Sequence, residues 1–247
     1  MKKTIVTMLC LLMAFVMVGC KKPPVVEETT PLEYLGYLTT TIDEYKNSDS
    51  GSILIEMNTD VETSLEYIYN FTSSSIDSLL CVFESGDSVM AAYVTEEVSY
   101  INVNNEKTQT PLTVDEEETI LENYGLEAMT ASIFATFDQS LFNAFTVTSD
   151  EAGVVVLTWD KTKYVLITTG LDDDGILAAG ERYDDVSANM KAITVTLTYA
   201  DSKVTKVESS WTKNDDSVGT ITVEFKGTGA QTIVFPTDLA SYTEQQN

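Results

Sequence analysis

The chain has 247 residues, of which 39 are acidic, 14 are basic and none is histidine. The acidic excess opposes nucleic-acid binding, because such binding depends on Lys and Arg contacts to phosphate. Without histidine, Ser-His-Asp and Cys-His catalytic arrangements and histidine-containing zinc sites are excluded. We therefore expect a protein that is not an enzyme and carries no metal or other cofactor.

The amino terminus has the pattern of a secretory signal, with Lys2 and Lys3 ahead of a mostly apolar run at 5–18. This run of about 14 residues is shorter than the roughly 20 that a spanning helix needs. Residues 1–19 are therefore predicted to be a signal peptide. Its removal takes two of the 14 basic residues, so the mature chain carries a formal charge of 12 − 39 = −27.

The segment Met17-Val18-Gly19-Cys20 resembles the lipobox of bacterial lipoproteins, with Met where Leu is usual. The resemblance implies that the Cys20 sulfur is acylated and that Cys20 becomes the first residue of the mature protein. The alternative is an ordinary signal peptide with an incidental cysteine. Several acyl chains anchor a protein stably where one is marginal. We expect a lipid anchor in the cell membrane, a lipidated tether at 20–31 and a body on the extracytoplasmic side.

The first folded element is predicted from Leu35, Leu38, Ile42 and Tyr45, whose spacings of three and four indicate an amphipathic helix from about Pro31 to Lys46. A strand-rich block follows. Alternation of apolar and polar residues between short turns predicts an antiparallel meander with one buried face. Its strands are expected at 53–58, 65–71, 76–83, 89–94 and 98–103.

Helical character returns at Thr113 and Glu116, which resemble a capping box. A first central helix should end near Gly125 and a second should run over about 126–144, so that the pair occupies about 114–145. Later strands are expected at 154–159, 164–168, 193–199, 205–211, 221–225 and 232–235. The acidic loop at 171–187 lacks the EF-hand spacing, which leaves a solvated loop or an irregular Ca²⁺ site.

Large aromatic side chains form the candidate binding set. A sheet with a helix laid across it can leave an apolar cavity, or these side chains can simply fill the core. The candidates are Tyr67, Tyr69, Phe71, Tyr93, Tyr100, Phe134, Phe137 and Phe142. Cys81 is the remaining cysteine once Cys10 leaves with the signal and Cys20 is acylated, so an intramolecular disulfide is excluded and a buried thiol is expected.

An anchor followed by a helix, strands, a helix pair and more strands resembles the lipoprotein-carrier superfamily, which includes the periplasmic lipoprotein chaperone and mycobacterial glycolipid-binding lipoproteins. The resemblance covers roughly 32–240 and implies an α+β, mainly antiparallel fold in a single domain at 32–247. In that fold a curved half-barrel sheet is covered by the N-terminal helix and the central helix pair. It also implies an apolar ligand, a lipid or a lipidated protein. The alternative is a cell-envelope interaction or scaffold lipoprotein with a solid core and an acidic surface.

Overall fold

The computed structural model describes residues 30–72, 75–124, 142–163 and 189–244, and these are mostly β. Two α-helices are described, α1 at Pro31–Lys46 and α2 at Val114–Tyr124, with a 3-10 turn at Leu239–Ser241. The strands are β1 (Ser50–Asn58), β2 (Glu62–Phe71), β3 (Ile76–Ser85), β4 (Ser88–Thr95), β5 (Val98–Val103), β6 (Glu106–Pro111), β7 (Phe145–Glu151), β8 (Val154–Trp159), β9 (Met190–Ala200), β10 (Lys203–Lys213), β11 (Val218–Thr228) and β12 (Thr243–Glu244).

The strands form one open sheet in the order β12-β6-β5-β4-β3-β2-β1-β11-β10-β9-β8-β7. The predicted α+β fold, a curved half-barrel sheet covered by an N-terminal helix and a central helix pair, is therefore wrong, because the described residues are mostly β and form an open sheet. The physical reason is that β1 pairs with β2 along one edge and with the late strand β11 along the other. Strand β11 thus joins the early meander next to β1. The second helix of the predicted pair lies almost wholly outside the described residues, as does the strand predicted at 164–168.

The described residues divide into two compact units. The first unit holds 30–41, 142–163 and 189–219, and the second holds 42–72, 75–124 and 220–244. The predicted single domain at 32–247 stays a prediction, because a compact unit need not be a part that folds alone.

In the first unit, β7 to β10 form an antiparallel meander with one apolar face, which includes the buried Val155, Leu197 and Val207. Helix α1 packs here because its apolar positions recur at helical spacing. Its buried Thr41 receives a hydrogen bond from the backbone N–H of Val204 at 2.8 Å. The strand register shifts just after Val204, so Thr41 satisfies a polar group at an irregular point of the ladder.

In the second unit, β1 to β6 form a continuous meander and β11 flanks β1. The hairpin between β5 and β6 turns at Asn104 and Asn105, whose φ angles of 52° and 73° suit a tight two-residue turn. The last residues of α1 also lie in this unit. The buried Tyr45 donates a hydrogen bond to the Ser52 carbonyl at 3.1 Å, and its own carbonyl accepts one from the Tyr69 hydroxyl at 2.9 Å.

Both helix starts follow from local sequence. The predicted helix over Pro31 to Lys46 is confirmed. The predicted capping box is confirmed as well, since Thr113 Oγ1 accepts a hydrogen bond from the Glu116 N–H and the Glu116 carboxylate accepts one from the Thr113 N–H. Among the described residues, no helix combines the length and the hydropathy that a membrane crossing requires.

Candidate functional site

Strand register divides the meander of the second unit into two faces. Directly paired residues point to the same side of a sheet, and neighbours along a strand point to opposite sides. Tyr67 pairs with Cys81, which pairs with Ala92, and this side is called here the Tyr67 face. Ile68 pairs with Leu80, and Leu80 with Tyr93, on what is called the Tyr93 face.

The predicted aromatic set is divided between these faces and the two units. Tyr67, Tyr69 and Phe71 alternate along β2, with the Tyr67 and Tyr69 rings buried and the Tyr69 and Phe71 centroids 5.0 Å apart. Tyr93 pairs with Tyr100, so both lie on the Tyr93 face. Phe142 is buried in the first unit, where its ring centroid is 5.8 Å from that of Phe145. Phe134 and Phe137 lie outside the described residues. Within the second unit, the described candidates therefore lie on opposite faces of the sheet and do not line one common site.

Residues 229–242, called here the C-terminal segment, cross the Tyr93 face. The Asn70 side chain exchanges two hydrogen bonds with the backbone of Gln231, at 2.8 and 3.0 Å. Further along, the Phe235 ring lies beside Tyr93 and the buried Tyr242 ring meets Tyr100 edge-on at 5.5 Å. The strand predicted at 232–235 is wrong, because these residues cross the sheet without forming a strand.

Lys107 ties the end of the C-terminal segment to β6. Its ammonium pairs with the Asp238 carboxylate and lies 5.6 Å from the centroid of the Tyr242 ring. The pKa of Lys107 is raised by this hydrogen bond to Asp238, so the ammonium form is favoured. Tyr93 and Tyr100, the aromatic candidates on the Tyr93 face, thus contact the C-terminal segment of the same chain.

The Tyr67 face changes character along the strands. Tyr69, Leu79 and Val94 are essentially inaccessible, at 0%, 0% and 1% exposure. Another row of side chains on the same face lies four residues from the Tyr69 row, towards the β1–β2 turn. All of its side chains are apolar, but they are only partly buried. We call it the apolar row, and its members are Ile55, Leu65, Phe83, Met90 and Val103.

The apolar row runs across five strands, from β1 to β5. Since neighbouring strands lie about 4.8 Å apart, the row is about 19 Å long. Val103 is 41% exposed, and the other four members are half-buried. A contiguous apolar strip that stays partly open to water is typical of a binding surface rather than of a finished core. The members of the strip occupy apolar positions in the alternating pattern of the predicted strands. Because they are mainly aliphatic, they do not belong to the predicted aromatic set.

Acidic residues border the apolar row. Glu106 pairs with Val103 and so extends the row on the same face. Asp60 and Asp87 lie in the turns that follow β1 and β3, about three to five residues beyond the row. In the described part of the second unit the basic residues are Lys46, Lys107 and Lys226. The strand register places Lys107 and Glu224 on the Tyr93 face, where Lys107 pairs with Asp238 and Glu224 pairs with Lys226.

On the Tyr93 face, at the same end of the strands, lies a half-open groove of about 570 Å³. Glu56 and Glu84 both pair with Ser64, so all three side chains lie on the same face of the sheet and line the groove. Glu62 is the third acidic residue of the lining. Within the described ranges, no group of three or more His, Cys, Asp or Glu residues is placed to hold a metal ion. The groove therefore offers scattered negative charge.

A tyrosine cluster in the first unit fastens α1 to the sheet. The Tyr34 and Tyr199 hydroxyls donate to the two oxygens of the Asp150 carboxylate, at 2.5 and 2.7 Å, and these bonds lower the pKa of Asp150. The pKa of Tyr34 is raised, first by burial and then by this bond. The rings of Tyr34, Tyr37 and Tyr199 lie 5.4 to 5.7 Å apart, which leaves no room for a cation between them. The cluster is a structural fastening.

Cys81 is a core residue. The thiol is 4% exposed, and burial raises its pKa to about 11. A thiol held protonated in this way is a poor nucleophile at neutral pH. The two other positions singled out from sequence, Cys20 and the acidic loop at 171–187, lie outside the described residues.

No protein-family model matches this chain, and no curated protein matches it either.

Proposed function

We propose that the protein is a non-catalytic, membrane-anchored lipoprotein that binds an apolar ligand, a lipid or a lipidated partner, on the apolar row. The lipobox-like segment ending at Cys20 supports the anchor and the extracytoplasmic position. The partly open strip Ile55, Leu65, Phe83, Met90 and Val103 is the one observation that carries the binding proposal. The absence of histidine from the whole sequence supports a role without catalysis.

The expected affinity is modest. Covering a strip of a few hundred Å² also buries a similar area of the ligand, and the two areas together yield roughly 10–16 kcal/mol at about 25 cal/mol per Å². Association costs at least about 4 kcal/mol, and ordering of the ligand adds to this. A Kd between about the micromolar and millimolar ranges follows. Such an affinity suits a protein that holds a ligand near a membrane and releases it again.

The uncharged fluorescent probe N-phenyl-1-naphthylamine tests the proposal. The mature chain, residues 20–247, is used with Cys20→Ser so that no anchor lipid competes. We expect saturable enhancement of the probe's fluorescence, and at least about a fivefold weaker Kd for Phe83→Ser, because a large apolar contact is lost.

Val82→Ser is the matched control, since Val82 is the half-buried neighbour of Phe83 that points to the Tyr93 face. It should bind the probe like the parent chain. Thermal unfolding shows whether both variants remain folded. Absence of saturable binding by the parent chain, or equal losses in the two variants, would contradict binding on the apolar row.

The acidic groove supports a second candidate, an interaction lipoprotein that binds a basic partner through its acidic surface. Glu56, Glu62 and Glu84 line this groove without a basic neighbour in its wall. Binding of a short oligolysine peptide that falls steeply with salt and is weakened by Glu56→Gln together with Glu84→Gln would favour this role. A peptide that ignores those substitutions would count against it.

A further inference from the structure

The border of the apolar row constrains the ligand's polar end, and this inference rests on the proposed function of the row. An apolar chain lying along the row must place its headgroup at an end or a side of the strip. The end at β5 and β6 carries Glu106 on the same face, paired with Val103. The turns beyond β1 and β3 carry Asp60 and Asp87. Each of these positions places negative charge within about 10–15 Å of the row.

In the described part of the second unit, no basic residue lies beside the apolar row. On the Tyr93 face, Asp238 holds Lys107 and Glu224 holds Lys226, and Lys46 ends α1 near the opposite end of the strands, where Tyr69 contacts the helix. These lysines are the basic residues of the described part of the unit. An anionic headgroup would therefore meet uncompensated repulsion, and a cationic one would be attracted.

We infer that the apolar row selects amphiphiles with a cationic headgroup and discriminates against anionic ones. The apolar chain supplies the bulk of the affinity through burial on the strip, and the acidic border decides among ligands that share the same chain. The discrimination depends on salt, because exposed charges about 10 Å apart are largely screened at 0.1 M ionic strength and much less at 0.01 M.

Three amphiphiles with the same twelve-carbon chain test the inference, each kept below the concentration at which it forms micelles. They are dodecyltrimethylammonium, dodecyl maltoside and dodecanoate, and each is titrated calorimetrically into the mature chain carrying Cys20→Ser. At 10 mM ionic strength we expect dodecyltrimethylammonium to bind at least about tenfold more tightly than dodecanoate, with the maltoside between them. At 0.3 M salt the gap should shrink to about twofold, while maltoside binding stays unchanged.

A pair of triple variants locates the selecting charges. Glu106→Gln with Asp60→Asn and Asp87→Asn removes the three acidic charges that border the row. This variant should reduce the affinity ratio of dodecyltrimethylammonium to dodecanoate by at least about threefold. A matched control removes three carboxylates from the opposite end of the strands, with little effect expected on the gap. It combines Asp77→Asn, Glu96→Gln and Glu97→Gln.

The outcomes separate the inference from the proposed function. Equal affinities for the cationic and anionic amphiphiles, or tighter binding of dodecanoate, would overturn the selectivity while leaving apolar binding intact. Equal narrowing by both triple variants would assign the effect to net charge and overturn the role of the border. Failure of all three amphiphiles and of the uncharged naphthylamine probe to bind would overturn the proposed function itself.

Discussion

Replacement of Gly219 by alanine tests how closely the first unit is packed. A Cβ at this position would lie 2.2 Å from Cζ2 and 2.4 Å from Cε2 of Trp211. The Trp211 side chain is 5% exposed, so the indole has little room to withdraw. It would have to move by about 1.3–1.8 Å to restore an ordinary contact distance of about 3.5–4.0 Å. Overpacking of this kind typically costs 1–3 kcal/mol, and we expect about 3 kcal/mol because a rigid ring must move.

Gly36→Ala provides a control with the same chemical change and the opposite expected sign. Gly36 is exposed on α1, and a Cβ there would meet nothing within 4 Å. Alanine in a helix is favoured over glycine, so this variant should gain about 0.5–1 kcal/mol.

Urea unfolding followed by tryptophan fluorescence measures both changes. The chain has two tryptophans, Trp159 and Trp211, and both lie in the first unit, so the signal reports on that unit. The expected loss of about 3 kcal/mol for Gly219→Ala corresponds, in thermal unfolding, to a Tm lowered by about 6–12 °C. A neutral or stabilising Gly219→Ala, or two variants that change stability in the same direction, would refute the close approach of Trp211 to the β11 backbone.

Three further predictions concern single contacts. Tyr34→Phe should lower the free energy of unfolding at pH 7. Because the pKa of Asp150 is lowered in the folded state, this deficit should persist down to about pH 4 and fade as the pH falls further, which urea titrations at several pH values measure. Thr41→Val should cost about 1–3 kcal/mol in the same titrations, since the N–H of the buried Val204 loses its acceptor, and a cost near zero would contradict that role. Cys81 should resist iodoacetamide at pH 8 in the folded protein and react in urea, as mass spectrometry of the adduct reports, because burial raises the pKa of its thiol to about 11.

Local elements were predictable because their signals are local. Helix α1 follows from apolar residues at helical spacing, and the start of α2 follows from Thr113 and Glu116. Strands β1 to β5 follow from alternation. Strand β6 was not predicted, because Glu106–Pro111 is polar throughout and pairs as a consequence of the Asn104-Asn105 turn.

The architecture and the faces were not predictable in the same way. Alternation tells which residues of one strand share a side, but only register relates one strand to the next. Tyr67 and Tyr93 both lie in strands of the predicted meander, yet pairing through Leu80 and Cys81 puts them on opposite faces. The order of elements likewise does not reveal that β11 pairs with β1 and extends an open sheet. A binding set chosen by aromatic character was therefore spread over both faces, while the apolar row went unrecognised.

The central claim is that an apolar ligand binds on the apolar row, and photo-crosslinking tests this claim most directly. The mature chain carrying Cys20→Ser is irradiated with an uncharged alkyl diazirine, digested and mapped by mass spectrometry. Adducts should concentrate on peptides containing Leu65, Phe83 and Met90, and unlabelled dodecyl maltoside should suppress them. Adducts concentrated instead on the C-terminal segment or in the first unit, or spread evenly without suppression by the competitor, would contradict the claim.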